Sequence, residues 1–490
     1  MPRVEPALRG RPLGHSHPSR RRLHVRPRIS HPHRHARSAD RDGHPTRAAP
    51  TITDVPSPPV PAVPSAPAGL VVRPFRALTY RQKDPDQLAR VSSPAYDLVT
   101  PAGRDHLADA DPHNIVRLIL PHVELGTGRS GRAMGSAEQA AETLGRWVAE
   151  GVLVRDDIPA LWLYEMRPPD GQPETVGWLG AVALPPSGSA AVLPHEDTYA
   201  PAVEGRRALL AATATDLEPI VLAHDLEPEV VELSGRARTT APTLEVVDTD
   251  DVLHRLWRVT DPQLLDRLTA ALQRTEAVIA DGHHRFAAAR ANARAEPTAP
   301  GSDAVLALVT PMGPGGLRVA AIHRVLPDQG LDDAVAVAEG GFRIRRLPGE
   351  GPAAVVESIH RWLAGAGETG FLLTDGKRLV HLTQPSEAVL SAVPAEAPTA
   401  WRDLDVVLAH HGLLAHLLHR DDDPASVLVA HSVAEALHTA AERSGVALLL
   451  RAPSPAAVAA VARAGARMPR KSTLFVPKPR TGLVLRPLTD

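Results

Sequence analysis

From Leu70 onward the chain alternates short apolar runs with amphipathic helical periods, and that alternation restricts it to α/β or mixed α/β architectures. Strands are expected at 115–120, 160–165, 176–184, 219–224 and 277–280. Helices are expected at 137–149, where Leu144, Trp147 and Val148 share a face, at 206–214, at 262–273 and from Gly282 on. Residues 305–310 and 317–323 read as a hairpin across a Gly-Pro-Gly-Gly turn, and Asp375-Gly376 reads as a second hairpin turn. Later segments predict helices at 355–363, 404–418, 434–443 and 456–463. Strands are predicted at 427–430, 446–450, 473–476 and 482–486.

Residues 1–68 differ in kind. They are rich in Pro, Arg and His and poor in large apolar residues, so they cannot offset the entropy of ordering and are expected to form a disordered tail. The tail lacks the apolar stretch of a secretory signal. The first 50 residues carry twelve Arg against three acids, a net charge of +9, which leaves −11 on the other 440. A mildly acidic folded part is not built for non-specific nucleic-acid binding, so only the basic tail could serve it. No apolar run is long enough for a membrane helix, and a cytoplasmic location is expected. With no cysteine, thiolate nucleophiles, disulfides and Cys-based metal centres are excluded. The organisation expected is a tail at 1–68, a catalytic or nucleotide-binding region at 69–330 and a C-terminal α/β region at 331–490.

Several segments carry candidate chemistry. Gly126-Thr127-Gly128-Arg129-Ser130-Gly131 has dinucleotide-loop spacing, but a polar stretch separates it from the next helix, which favours a plain loop. Val278 to Phe286 reads differently, because an apolar strand runs into Asp281-Gly282-His283-His284-Arg285 and then a helix. A helix start offers free N–H groups and the positive end of a dipole. Gly282 admits a ligand to the backbone, Arg285 can grip a phosphate with two prongs, and His283 and His284 add donors. Asp281 can cap the helix or ligate a metal. Adjacent histidines on one helix point ~100° apart, so they do not chelate a single ion.

A second segment, Pro194-His195-Glu196-Asp197-Thr198, follows an apolar lead-in, and Glu196 there suits a general base. The third is Met468 to Pro479, which holds Lys471-Ser472-Thr473 and Lys478. Only four lysines accompany fifty arginines in this chain, so two lysines within eight residues suggest positions where a compact ammonium is wanted. The histidines at 410, 411, 416 and 419 mix helix faces and read as solvated or capping residues, and His323-Arg324 is ambiguous.

In this order, Pro94-Ala95-Tyr96-Asp97, Asp111-Pro112-His113-Asn114, the two motifs above, His323-Arg324, Trp401 to Asp405 and Met468 to Lys478 resemble the domain-of-unknown-function 1015 family over nearly all of 70–490. The pair of Pro-His-Glu and Asp-Gly-His-His-Arg motifs is more distantly similar to free serine kinases of the ParB/sulfiredoxin-like fold. That resemblance implies a ParB/sulfiredoxin-like core elaborated by further α/β segments. It implies a small-molecule kinase that moves a phosphoryl group from a nucleotide or other phosphate donor to a hydroxyl such as that of free serine. Glu196 would be the base, assisted by His195. Gly282, His283, His284 and Arg285, with Lys471, Ser472 and Thr473, would cradle the phosphates, and Asp281 would stand near Mg2+. The other reading is a nucleotide-sensing binding module of the partition-protein type, without turnover. For a kinase, the 194–198 and 281–285 segments must face one another although 85 positions separate Glu196 from Asp281.

Deletion of residues 1–68 is expected to leave the melting temperature of the remainder unchanged in calorimetry. A large drop would mean that the tail packs on the fold.

Overall fold

The structure, a computed structural model, describes residues 69–489 apart from 122–134, 170, 314, 349–350, 366–368, 422 and 424. The tail at 1–68 and the Gly126–Gly131 segment lie outside the described residues. The two large sheets of the fold fall within one compact unit, Ala62–Asp490.

The first sheet is mixed and nine-stranded. Its order is Val192–Leu193, Ala277–Asp281, Ile220–His224, Ala304–Pro311, Thr175–Ala183, Leu161–Arg167, Leu253–Val259 and Leu244–Val247, with Val72–Arg73 paired on Thr175–Ala183. Its central strands are buried on both faces. Along Ala304–Pro311, Val305, Ala307 and Val309 join one core while Leu306 and Leu308 join the other. Period-two geometry sends alternate side chains to opposite faces, and here both faces are apolar. One face is covered by helices Pro228–Ala237 and Pro262–Leu272. The latter starts at Asp261, whose carboxylate accepts from the N–H groups of Gln263 and Leu264, and it buries Leu264, Leu265, Leu268, Ala271 and Leu272.

The second sheet is antiparallel and six-stranded, in the order Arg343–Leu347, Leu379–Thr383, Gly370–Thr374, Val446–Leu449, His323–Leu326 and Leu428–Ala430. Its Gly370–Thr374 and Leu379–Thr383 pair turns at Asp375-Gly376 as expected. Gly376 sits at φ +81°, and the Asp375 carboxylate accepts from the N–H groups of Lys377 and Arg378. The two sheets share a core. Val221, Ala223, Val278 and Ala280 of the first pack with Phe371, Leu373, Leu382 and Leu448 of the second. The site described below lies where strand Ala277–Asp281 ends, beside the start of its antiparallel neighbour Ile220–His224.

Two local expectations fail for identifiable reasons. Residues 115–120 contain the short helix Val116–Ile119 rather than a strand. The Asn114 side chain accepts from the Val116 N–H at 2.9 Å and Asp111 accepts from the His113 N–H at 2.7 Å, so the preceding turn launches a helix. The 305–310/317–323 hairpin does not form, because Ala304–Pro311 already has neighbours on both edges. Instead Arg318–Ala320 pairs with Leu474–Val476, and His323–Leu326 joins the second sheet. The helix expected at 404–418 forms, as α-helix over Asp405–Leu408 that continues as π-helix over Ala409–Leu417.

The C-terminal segment closes a separate two-stranded pair beside the first sheet. Arg486–Pro487 pairs with Thr215–Asp216, and the Arg486 guanidinium meets Asp216 at 2.7 Å with both side chains buried. Burial raises the Asp216 carboxyl pKa, and Arg486 only partly offsets this. Arg486→Met removes the partner and leaves a buried acid, so it is expected to cost ~3–5 kcal/mol in urea unfolding. A loss below ~1 kcal/mol would mean that water replaces the guanidinium.

Candidate functional site

Strand Ala277–Asp281 ends at Gly282, which adopts φ +92°. A Cβ there would lie 2.8 Å from Ile220 Cγ2, so both the conformation and the space require glycine. Helix His283–Ala295 follows. Gly282 is its N-cap, so Asp281 does not cap it. At ~100° per residue, His283 and Arg285 leave the helix on nearly opposite sides. The Asp-Gly-His-His-Arg motif therefore serves two different environments.

On the His283 side lies the 194–199 loop. The His195 N–H donates to His283 Nε2 at 3.3 Å, and the Tyr199 N–H donates to His284 Nε2 at 3.1 Å. Each ring accepts through Nε2, which makes it the neutral tautomer with its proton on Nδ1. Burial agrees, pushing both ring pKa values down, His283 well below the ordinary histidine value. The two histidines thus clamp the loop to the helix start. The loop's other edge is held by Arg467, which donates to the Pro194 carbonyl at 2.8 Å, and by the Met468 N–H, which donates to the His195 carbonyl at 2.8 Å.

This clamp brings the two distant motifs together. Glu196 Oε2 is 4.0 Å from His283 Nδ1, and its other oxygen accepts from the Thr473 hydroxyl at 3.3 Å. His195 is fully buried, with Nε2 2.8 Å from the same hydroxyl. Burial lowers the His195 pKa to about 4, so this ring is a neutral support for Thr473 and Glu196. Burial raises the Glu196 carboxyl, while the positive charge of Lys471 and the Thr473 hydrogen bond partly offset it. The Glu196 side chain keeps 27% of its surface exposed. It borders a cavity of about 370 Å3 with Asp197, His283, Arg290, Arg294 and Arg467.

On the opposite side, Arg285 donates to the Pro219 carbonyl at 2.6 Å and pairs with Asp281 at 2.5 Å. Lys478 bridges the other Asp281 oxygen, at 2.8 Å, to the Asp97 carboxylate. Tyr96 lies beneath the Arg206 guanidinium, 3.9 Å from its ring centroid, and its N–H donates to Glu218. Burial alone would raise the Asp97 carboxyl, but the adjacent Lys478 outweighs this and holds it below the ordinary range. Sequence reasoning placed Asp281 beside Mg2+. Both Asp281 oxygens are already bonded to cationic side chains, and no three His, Asp or Glu among the described residues are placed to hold an ion. These donors do not fit a resident magnesium ion.

The 470–473 loop is fixed from the second sheet. Buried Arg324 donates to the carbonyls of Arg470 and Lys471 at 2.9 and 3.0 Å, and its Nε donates to His410 at 3.2 Å. His410 is therefore a buried acceptor rather than a solvated residue. Lys471 is held at φ +52°, exposed, with its charge felt by Glu196, Asp97 and His284. Ser472 is buried and donates to the Pro469 carbonyl at 2.6 Å, so its hydroxyl is used within its own loop.

Of the expected residues, His195, Glu196, His283, His284 and Thr473 form one cluster with Lys471 nearby. Asp281 and Arg285 belong to the ionic cluster behind it. Sequence reasoning missed Arg290, Arg294 and Arg467 of the cavity, and Arg206 and Glu218 of the cluster. Fifty arginines give no single one a signal.

The family model described as "Protein of unknown function (DUF1015)" matches residues 72–407, and the chain belongs to that family. No curated protein matches it. Among solved structures, a mutant free serine kinase in complex with AMP is 14% identical, covers 58% of this chain and 83% of its own, and has a TM-score of 0.30. A conserved hypothetical protein from Pyrococcus furiosus is 13% identical over 58% of this chain and 87% of its own, with a TM-score of 0.28. The C-terminally truncated SbnI from Staphylococcus aureus is 10% identical over 61% and 82%, with a TM-score of 0.29.

The buried histidines make a pH prediction. His195 has a folded pKa of about 4 against 6.5 when unfolded. The unfolded chain therefore binds the extra proton between these values, and the stability of the neutral ring is complete above pH 6.5 and lost as pH falls toward 4. Urea unfolding across this window should show a stability slope shallower in His195→Asn than in the wild type by up to ~1.4 kcal/mol per pH unit. Equal slopes would place the ring in water.

Proposed function

We propose that this protein is a small-molecule phosphotransferase, built on a ParB/sulfiredoxin-like core, that moves a phosphoryl group to an alcohol. The observation that carries the reading is Glu196: a partly accessible carboxylate with a raised pKa, held by Thr473, on the wall of a basic cavity. Phosphoryl transfer asks a protein mainly for positioning and charge neutralisation. A carboxyl shifted toward neutrality is a better-matched base for an alcohol than an ordinary surface glutamate.

In this reading Glu196 accepts the proton of the acceptor hydroxyl as its oxygen bonds to the terminal phosphorus of the donor. The bond from that phosphorus to its leaving oxygen breaks, and the donor departs shortened by one phosphoryl group. Lys471 neutralises charge on the transferred group, and the amides of the helix start receive donor phosphates. Arg285, bonded to Asp281 and Pro219, holds that helix start in place. No step is assigned to a protein-bound metal ion. A nucleotide is the donor suggested by the resemblance to free serine kinases, and free serine is the acceptor tried first.

The test is phosphate transfer from nucleotides or pyrophosphate to a panel of hydroxylated metabolites. Glu196→Gln keeps the shape but cannot accept the proton, and should lower kcat ~10²–10⁴-fold with donor affinity little changed. Equal activity of the two proteins would remove Glu196 as the base. A nucleotide-sensing module makes the other forecast: donor binding without transfer, and no effect of Glu196→Gln.

A further inference from the structure

The cavity at Glu196 is longer and more basic than a small neutral acceptor needs. His283, Ala287, Arg290 and Arg294 lie at i, i+4, i+7 and i+11 of one helix, a single stripe on its surface. At 1.5 Å per residue, Arg290 stands ~10 Å and Arg294 ~16 Å along the axis from His283 and the adjoining Glu196. Arg467 lies near the Glu196 end, where it donates to Pro194 and stands 3.7 Å from the exposed Asp197. Arg290 donates to the Ser187 hydroxyl at 3.1 Å. Among the described residues Arg294 has no ion-pair or hydrogen-bond partner.

We infer that this groove holds an acceptor whose reacting hydroxyl lies at Glu196 and whose far end is an anion, a phosphate monoester in the first instance, gripped by Arg290 and Arg294. The inference rests on the phosphotransferase reading and adds the class of acceptor to it. The same arginines could in principle take the phosphates of the donor. The distribution of groups favours the acceptor. The base lines this cavity, whereas Lys471, assigned to the transferred group, does not. A ligand in the groove is therefore the molecule that Glu196 deprotonates. Guanidinium pairs also match phosphate oxygens in a two-pronged geometry.

Calorimetric titration of the full-length protein with ribose 5-phosphate and glycerol phosphate, against ribose and glycerol, tests this without any need for turnover. At least one phosphate ester should bind ten times or more tighter than its parent alcohol. The Arg290→Ala/Arg294→Ala double variant should lose that preference, with a rise in Kd of ~10–100-fold, while Kd for ATP stays unchanged. The Arg290→Lys/Arg294→Lys variant, which keeps the charges, should retain part of the preference and shows that the losses are not unfolding. The proposal is overturned if neither ester is preferred by the wild type, or if the double alanine variant loses ATP affinity as much as ester affinity, which would assign the groove to the donor. Failure of the phosphotransferase reading looks different: the esters bind and discriminate as stated, but no phosphate moves and Glu196→Gln changes nothing.

Discussion

The carboxylate of Asp281 ties together parts of the chain that lie far apart in sequence. It closes the strand that leads to the helix start, pairs with Arg285 one turn on, and through Lys478 reaches Asp97 near the beginning of the fold. Such a cluster is weak evidence for stability, because desolvation consumes much of the Coulomb attraction. Its effect is geometric. Removing any one member strands a partner in a poorly hydrated place, so the segments carrying 97, 281–285 and 478 are held in one arrangement. The loop with Lys471 and Thr473 precedes the 478 anchor by only a few residues, and Arg324 fixes its other end from the second sheet.

With the helix start immobilised, histidines that look like phosphate donors in sequence become acceptors for the 194–199 loop. A protonated imidazole has no acceptor atom and could not hold a backbone N–H. Burial keeps both rings neutral, so the clamp and the desolvation have the same origin. The same burial raises Glu196. One dry patch therefore fixes the loop, sets the tautomers and tunes the carboxyl.

The sequence was informative where the signal is local. The buried apolar runs at 220–224 and 277–281 and the Asp375-Gly376 turn follow from residues adjacent in the chain. The meeting of the 194–198 and 281–285 segments, although distant in the chain, was legible from chemistry, because a lone carboxylate and a lone helix start are complementary. What was not legible depends on partners far away. Nothing in 317–323 reveals that its first part will pair with 474–476 and its end with a different sheet. Nothing in His323-Arg324 reveals that the guanidinium will support the carbonyls of 470 and 471. The ion pairs of Asp281 were hidden for the same reason: a carboxylate before a helix reads as a cap or a metal ligand until Lys478 is found on it.

Helical geometry gives the motif its division of labour. Arg285 faces the ionic cluster because it lies ~200° from His283, while Arg290 and Arg294, at seven and eleven residues, return to the face of His283. Arginines on the two sides meet different charge environments. Arg285 is met by Asp281, with Glu218 and Asp97 near enough to raise its pKa. Arg290 meets a serine hydroxyl and the face of the Phe286 ring, neither of them a counter-charge, and the one carboxylate close to Arg467, that of Asp197, is exposed. A guanidinium whose acceptors are all protein atoms is a strut, whereas one that faces a cavity without a buried counter-charge leaves a positive potential for a ligand to fill. The same residue type thus does structural work on one side of the helix and gives an anion-seeking surface on the other, with Glu196 at its end.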